Sequence, residues 1–355
     1  MTETIEVRED EEFDRGKVEA YMRERIEGLS EGELEVRQFP SGASNLTYLL
    51  KIGAWEGVLR RPPLGPIPPK AHDMGRESKV LSCIHDRFPL APKPYFFTDD
   101  ESIIGAPFYV MERRKGVVIN DSFPEGIEPT PELCRSLSET AVETLARLHA
   151  VDLEEAGLGD LGRPEGFLGR QVQGWIGRFE KAMTDDVEGM EEVGPLTEWL
   201  SANVPESPPP TIVHNDYKLN NLILDPENPT EVRAVLDWEM TTVGDPLFDL
   251  GNSLSYWIEP DDPEDLKEVL PTVVGSTPGF ITRNEFVELY ARKSGRDVSQ
   301  MHFYLVFGYF RLAVIIQQIY ARWYNGQTKD ERFASFGGRV KGLVQHAHAM
   351  TQRGE

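Results

Sequence analysis

The stretch TIVHNDYKLNNLILDPENPTEVRAVLDWEM, Thr211 to Met240, sets His214, Asp216, Asn220, Asn221 and Asp237 between runs of apolar β-formers. Asp216 follows TIV, Asn221 stands just before LIL, and Asp237 closes VRAVL. A hairpin brings the outer ends of two strands together, so Asp237 is expected near Asn221. A carboxylate and an amide carbonyl are hard oxygen ligands of the sort Mg²⁺ accepts beside phosphate oxygens and water. Asp216 is then left to receive a hydroxyl proton. These residue types at these offsets suit phosphoryl transfer from a magnesium nucleotide. That chemistry needs metal ligands, a cation on the phosphates, a cover for them and an acceptor for the nucleophile's proton.

Such a set needs a sizeable scaffold. The chain has 355 residues and 40.1 kDa, too long for one simple core, which implies two domains. Up to about residue 115 the pattern is β-rich. Asp14 is placed to cap a helix running to about Gly28. LEVRQFPSGASNLTYLLKI and GVLRRPP read as strands, and RPPLGPIPPK as an exposed loop. AHDMGRESKVLSCIHD reads as a helix ended by FPLAPKP, and IIGAPFYVMERRKG as a strand pair leading into a connector. Beyond Gly116 helical spacing dominates: TPELCRSLSETAVETLARLHAVD, RQVQGWIGRFEKAM, PLTEWLSANV, FDLGNSLSYWI, RNEFVELYARKSG, SQMHFYLVFGYFRLAVIIQQIYARWY and RVKGLVQHAHAM. The expected fold is α+β, with a β-rich lobe over 1–115 and a mainly helical lobe over 116–355.

Composition narrows the partners. The formal net charge of −23 repels nucleic-acid phosphates and anionic lipid, so neither is an expected partner. Only 12 of the 37 basic residues are lysine, which suits a high-salt cytoplasm or, alternatively, a GC-rich genome. No run approaches the ~20 consecutive apolar residues of a membrane span. The acidic start MTETIEVREDEEFD does not read as a secretory leader, and Cys83 and Cys134 lack metal-like spacing. A cytoplasmic protein with reduced thiols and no obligate protein partner is expected.

The motifs taken together resemble the aminoglycoside phosphotransferase family, within the protein-kinase-like superfold. His214-Asn215-Asp216 and Asn221 fit its H-x-D-x-x-x-x-N pattern, and Asp237-Trp238-Glu239 fits its later acidic motif. GDPLFDLG and LARLHAVD are similar to flanking family segments. VLRRPP, AHDMGRE and FYVMERRKG resemble the subgroup also found fused to acyl-CoA dehydrogenase domains. The resemblance implies an ATP- and Mg²⁺-dependent kinase for a small-molecule hydroxyl acceptor, with nucleotide bound between the lobes. It implies Asp216 as the catalytic base or acceptor-orienting group, with Asn221 and Asp237 as metal ligands. Arg60 falls where the fold usually carries a phosphate-binding lysine, and Glu77 where that residue's ion-pair partner sits. Met111 falls behind the adenine, with the Glu112 carbonyl and Arg114 amide as hinge groups. SGASNLT takes the place of the phosphate-covering loop, and Ser41, Ser44 and Asn45 are its candidate donors.

Two departures bear on this. Arginine replaces the lysine, and since strand neighbours face opposite sides, only Arg60 or Arg61 can serve. The expectation falls on Arg60. The covering loop also lacks G-x-G-x-x-G. His214, Asp245 and Asp249 are expected to be structural, as loop and helix anchors. Glu239 is within reach of a second metal, and that role stays open. Tyr304, Arg311 and Gln318 are read mainly as core. The acceptor is expected to be a hydroxyacyl-type metabolite, or alternatively an aminoglycoside or amino alcohol. A silent nucleotide-binding pseudokinase is the non-catalytic alternative.

Overall fold

The structure is a computed structural model that describes residues 3–40, 45–65, 72–270, 272–328 and 330–353. Ser41 and Ser44 therefore lie outside the described residues. The chain divides into two compact units, one of Met1–Gly116 with Arg233–Thr241, the other of Val117–Val232 with Thr242–Glu355.

In the first unit, helix α1 (Arg15–Arg25) starts at Asp14, whose carboxylate accepts from the Lys17 N–H. Strands β1 (Glu35–Gln38), β2 (Leu46–Ile52) and β3 (Trp55–Arg61) follow, then helix α2 (Met74–Ile84), strand β4 (Pro94–Thr98), a short helix α3 (Glu101–Ile104) and strand β5 (Phe108–Glu112). The five strands form one antiparallel sheet in the order β1-β2-β3-β5-β4. Val18 and Met22 of α1 pack with Tyr48, Leu50, Leu59, Phe108 and Val110 in its core.

Two sequence expectations change here. The proline-rich FPLAPKP does not merely end a helix, because β4 opens at Pro94 on the sheet edge, where a strand's first residue needs no donor N–H. IIG is not a strand either: Ile103 and Ile104 end α3, and Gly105 terminates it at φ 77°.

In the second unit the helices are α4 (Pro131–His149), α5 (Phe167–Lys181), α6 (Asp185–Glu188) and α7 (Val193–Ala202). Then come β6 (Thr211–Val213), β7 (Leu222–Leu224), β8 (Val232–Val235), which runs across the division, and β9 (Thr242–Gly244). Helices α8 (Pro246–Ser255), α9 (Glu264–Val269), α10 (Val273–Ser276), α11 (Arg283–Ser294), α12 (Met301–Tyr324) and α13 (Phe336–Gln352) complete it. Strands β6 and β9 pair antiparallel, Ile212 opposite Val243.

Helix α12 is the centre of this unit. It is long and apolar enough to cross a membrane, but 78% of that apolar window is buried among the unit's other helices, as in a core helix. Its crossing with α8 is made by glycines. A Cβ on Gly308 would stand 2.5 Å from the Gly251 carbonyl oxygen, and one on Gly251 would stand 2.5 Å from that of Tyr304. Only the missing side chains let the two backbones meet.

Candidate active site

The first unit gathers one cation and three carboxylates. Arg60 lies on β3 opposite Thr47 of β2 and Tyr109 of β5. Its Nη1 is 2.6 Å from Glu77 Oε1 and 3.4 Å from Asp237 Oδ1, and its Nη2 is 3.8 Å from Glu239 Oε2. Glu77 comes from α2, whose N-terminus is capped by Asp73. Arg60 and Glu77 are buried, whereas the Asp237 side chain is half exposed. Arg61, one residue on, stands in the field of Tyr48 and Glu11 instead. Burial pushes the Glu77 carboxyl up to about 7, against the pull of Arg60 and helped by Glu239. Burial alone would depress Arg60, yet Glu77 and the carboxylates around it hold it firmly protonated. Arg60 Nε and Glu77 Oε2 are buried without a hydrogen-bond partner, so the ion pair leaves polar capacity unused.

Asp237 follows β8 in the left-handed region, at φ 63° and ψ 61°, and opens a single 3₁₀ turn, Trp238–Met240. Trp238 anchors that turn: its indole donates to the Val235 carbonyl and its ring packs edge-on against Phe88. Met111 is buried on β5 opposite Val58, and Glu112 lies opposite Gly57. The Glu112 N–H donates to the Lys93 carbonyl, and its carboxylate pairs with the Arg114 guanidinium at 2.9 Å. Arg114 also donates to the Pro89 carbonyl, so both side chains are tied down locally.

The second unit holds the loop after β6. Asn221 Nδ2 donates to the Asp216 carbonyl at 2.7 Å and to Asp216 Oδ2 at 3.0 Å. With its NH₂ engaged there, the amide offers its carbonyl oxygen as the end that can meet a cation. Asp216 is not the lone acceptor expected from the spacing, since Lys218 Nζ also stands 3.0 Å from its Oδ1.

The turn bearing Asp216 is clamped from beneath. Asn215 is left-handed at φ 67°. Asp249 of α8 accepts from the His214 N–H at 2.6 Å, the Asn215 N–H at 2.7 Å and His149 Nε2 at 3.1 Å. His149 Nδ1 meets the Tyr290 hydroxyl at 2.7 Å. Burial lowers the His149 pKa, which favours a neutral ring donating from Nε2. Burial by itself would raise Asp249, but His149 and the His214 N–H outweigh it and keep the carboxyl low. From α12, Arg311 Nη2 donates to the Asn215 carbonyl at 2.8 Å, with its guanidinium over Trp175. His214 is fully buried and its Nδ1 accepts from the Asp216 N–H. Asp245 caps α8 through the Leu247 N–H and accepts from the Tyr304 hydroxyl. Gln318 is exposed. His346 packs its ring against Tyr309 with centroids 4.7 Å apart.

Lys218, His149 and Arg311 are the side chains that sequence reasoning did not assign to the loop. Lys218 lies inside the motif and was open to notice. The other two come from distant helices, and no spacing connects them to it.

A cavity of about 300 Å³ lies within the second unit, lined by Tyr217, Lys218, Leu219 and Asn220 of the same loop. Its walls are largely apolar and aromatic, with Ile119, Val273, Tyr256, Trp257 and Phe286. Lys218 Nζ sits 5.1 Å from the centre of the Tyr256 ring, and Arg339 and Asp121 are its other charged lining groups. Among the described residues no group of three His, Cys, Asp or Glu side chains is arranged to hold a metal ion.

Comparison with known proteins gives a consistent picture. Residues 35–271, more than half of the chain, match the model of the phosphotransferase enzyme family, APH. Acyl-CoA dehydrogenase family member 11 of Gallus gallus is 35% identical over 362 residues, covering 99% of this chain and 45% of that protein. The chain thus spans less than half the length of that relative. The solved structure of a candidate aminoglycoside phosphotransferase from Ralstonia eutropha is 30% identical and superposes with a TM-score of 0.82, covering 96% of this chain and 99% of that one. An aminoglycoside phosphotransferase, APH(4)-Ia, solved with AMP-PNP and hygromycin B, shares the fold at 17% identity and a TM-score of 0.57, covering 93% and 98%. The α+β architecture is therefore a kinase-like one, and the chain belongs to the phosphotransferase enzyme family.

Proposed function

We propose that the protein is an ATP-dependent small-molecule kinase that transfers the γ-phosphate to a hydroxyl acceptor. One observation carries this reading. The Asn221 amide is fastened to Asp216 by its nitrogen, which steadies the Asp216 carboxylate and leaves an oxygen for a cation. Asn221 and the half-exposed Asp237 each bring the kind of hard oxygen ligand that Mg²⁺ accepts beside phosphate oxygens and water. Bound Mg²⁺ would neutralise charge on the transferring phosphates.

The chain's own residues do the remainder. Asp216 orients the acceptor hydroxyl and takes its proton. Lys218, beside Asp216, supplies positive charge where the acceptor enters. Arg60, steadied by Glu77, grips phosphate oxygens in place of the fold's usual lysine. Residues 1–115 act as the nucleotide-binding domain, with Met111 behind the base and Glu112 and Arg114 presenting backbone groups to it; Ser44 contributes from the covering loop. Residues 116–355 act as the catalytic and acceptor-binding domain.

The cavity favours a hydroxyacyl-type acceptor over an aminoglycoside. Its walls are mostly apolar, and Asp121 is the one acidic side chain lining it among the described residues, where a polycation needs several. An acceptor with an apolar arm fits it. The name of the chicken relative agrees in kind with acyl chemistry.

Asp216→Ala tests the mechanism. It should keep Mg-ATP binding in calorimetry and lose turnover by about 10²–10⁴-fold, the usual weight of acid–base catalysis. Turnover above roughly a tenth of wild type would remove Asp216 from that role. A parallel screen of hydroxy acids, their thioesters and amino alcohols would identify the acceptor. Nucleotide binding with no turnover on any acceptor would favour a silent scaffold.

A further inference from the structure

Glu239 stands two residues past Asp237, and its carboxylate is already engaged. Asn45, the first described residue after the covering loop, donates from Nδ2 to Glu239 Oε2 at 2.6 Å. The other end of that amide, Oδ1, is 2.8 Å from His72 Nδ1. The hydrogen bonds run in one direction: the Asn45 NH₂ faces Glu239 and its oxygen faces His72 Nδ1. His72 itself is held at φ 55°, a region non-glycine residues seldom occupy unless their surroundings fix them.

We propose that His72 and Asn45 are positioning residues: together they fasten Glu239, and through it the turn that presents Asp237. The proposal rests on the kinase reading above. It gives Glu239 an anchoring role, since Oε2, the oxygen beside Arg60, is the one the Asn45 amide takes. A hydrogen bond to a charged acceptor is among the stronger kinds, and this one joins segments almost two hundred residues apart in sequence. The turn is then held at both ends. The Trp238 ring is buried against Phe88, and the Glu239 carboxylate is tied to Asn45, while Asp237 in front of them stays half exposed.

The test uses Asn45→Ala, Glu239→Ala and Glu239→Gln in the full chain, read two ways. Hydrogen exchange over residues 236–242, without nucleotide, reports the latch itself. Calorimetric affinity for Mg-ATP reports its use. Asn45→Ala and Glu239→Ala should both speed exchange and weaken Mg-ATP binding about tenfold or more. Glu239→Gln still offers a carbonyl to Asn45 and should recover most of both losses. Unchanged exchange in Asn45→Ala would overturn the latch. So would a Glu239→Gln protein that binds Mg-ATP as poorly as Glu239→Ala while exchanging normally, since Glu239 would then be a ligand. Failure of the wild type to bind Mg-ATP would sink the kinase reading instead, and the exchange comparison would still decide the latch.

Discussion

Arg60 and Glu77 face one another where water scarcely reaches, and their equilibrium is set by competition. Burial favours the neutral acid, Arg60 favours the carboxylate, and Glu239 and Asp237 oppose ionisation again. The outcome, a carboxyl pushed up from 4.5 to about 7, has a definite sign for stability. The folded state holds that proton more tightly than the unfolded chain does. The group's stabilising contribution is therefore complete below about 4.5 and is lost as pH rises through about 7. Glu77→Gln, which cannot ionise, should become relatively more stable than its parent as pH climbs from 5 to 8. Melting curves of both proteins across that range would show it, and a constant gap would contradict the assignment. At this scale the sequence was partly legible. Strand alternation separates Arg60 from Arg61, and Arg60 is the one that stands beside Glu77. The spacing did not show that Lys218 and Asn221 already occupy Asp216, because side-chain pairing inside a loop follows from its backbone path.

The helices around the loop were the most readable elements. Apolar periodicity places α4 and α11 from sequence, and the structure adds their ends and the Thr130 and Thr282 caps. Short elements were hidden. β4 looks like proline punctuation, and four-residue α3 is too brief for any period. The sequence also conceals what α4, α8 and α12 do jointly. His149, Asp249 and Arg311 converge from three helices on one tight turn. Asp249 is the hub, fully buried and accepting from three donors. Asp249→Ala leaves those neutral donors without a partner and should cost about 1–3 kcal/mol for a buried donor left unsatisfied. The midpoint of urea unfolding measures it, and a loss under about 1 kcal/mol would show the turn to be held by other means.

For the molecule as a whole, charge is the dominant property. A net charge of −23 makes the folded chain repel itself, and salt screens that repulsion. Raising NaCl from about 10 mM to about 1 M shortens the Debye length from roughly 30 Å to 3 Å and should raise the melting temperature by a few degrees. A flat or falling response would mean that local ion pairs such as Arg60–Glu77, rather than overall repulsion, govern stability. The fold class was legible because several independent motifs agree along the chain. The proposed acceptor was not, because the cavity that would receive it is drawn from seven separate stretches of sequence, from Ile119 to Arg339.

The bare backbone contact of Gly251 with Gly308 ties together the two helices that hold the turn bearing Asp216. Asp249 and Arg311 ride on those helices and cannot shift independently without prising the contact apart. The turn bearing Asp216 is thus locked into a rigid yoke, whereas much of the cavity's wall lies on other segments, such as α10 and α11. On the kinase reading proposed above, changes to those wall residues would alter which acceptor fits while leaving the turn that bears Asp216 in place.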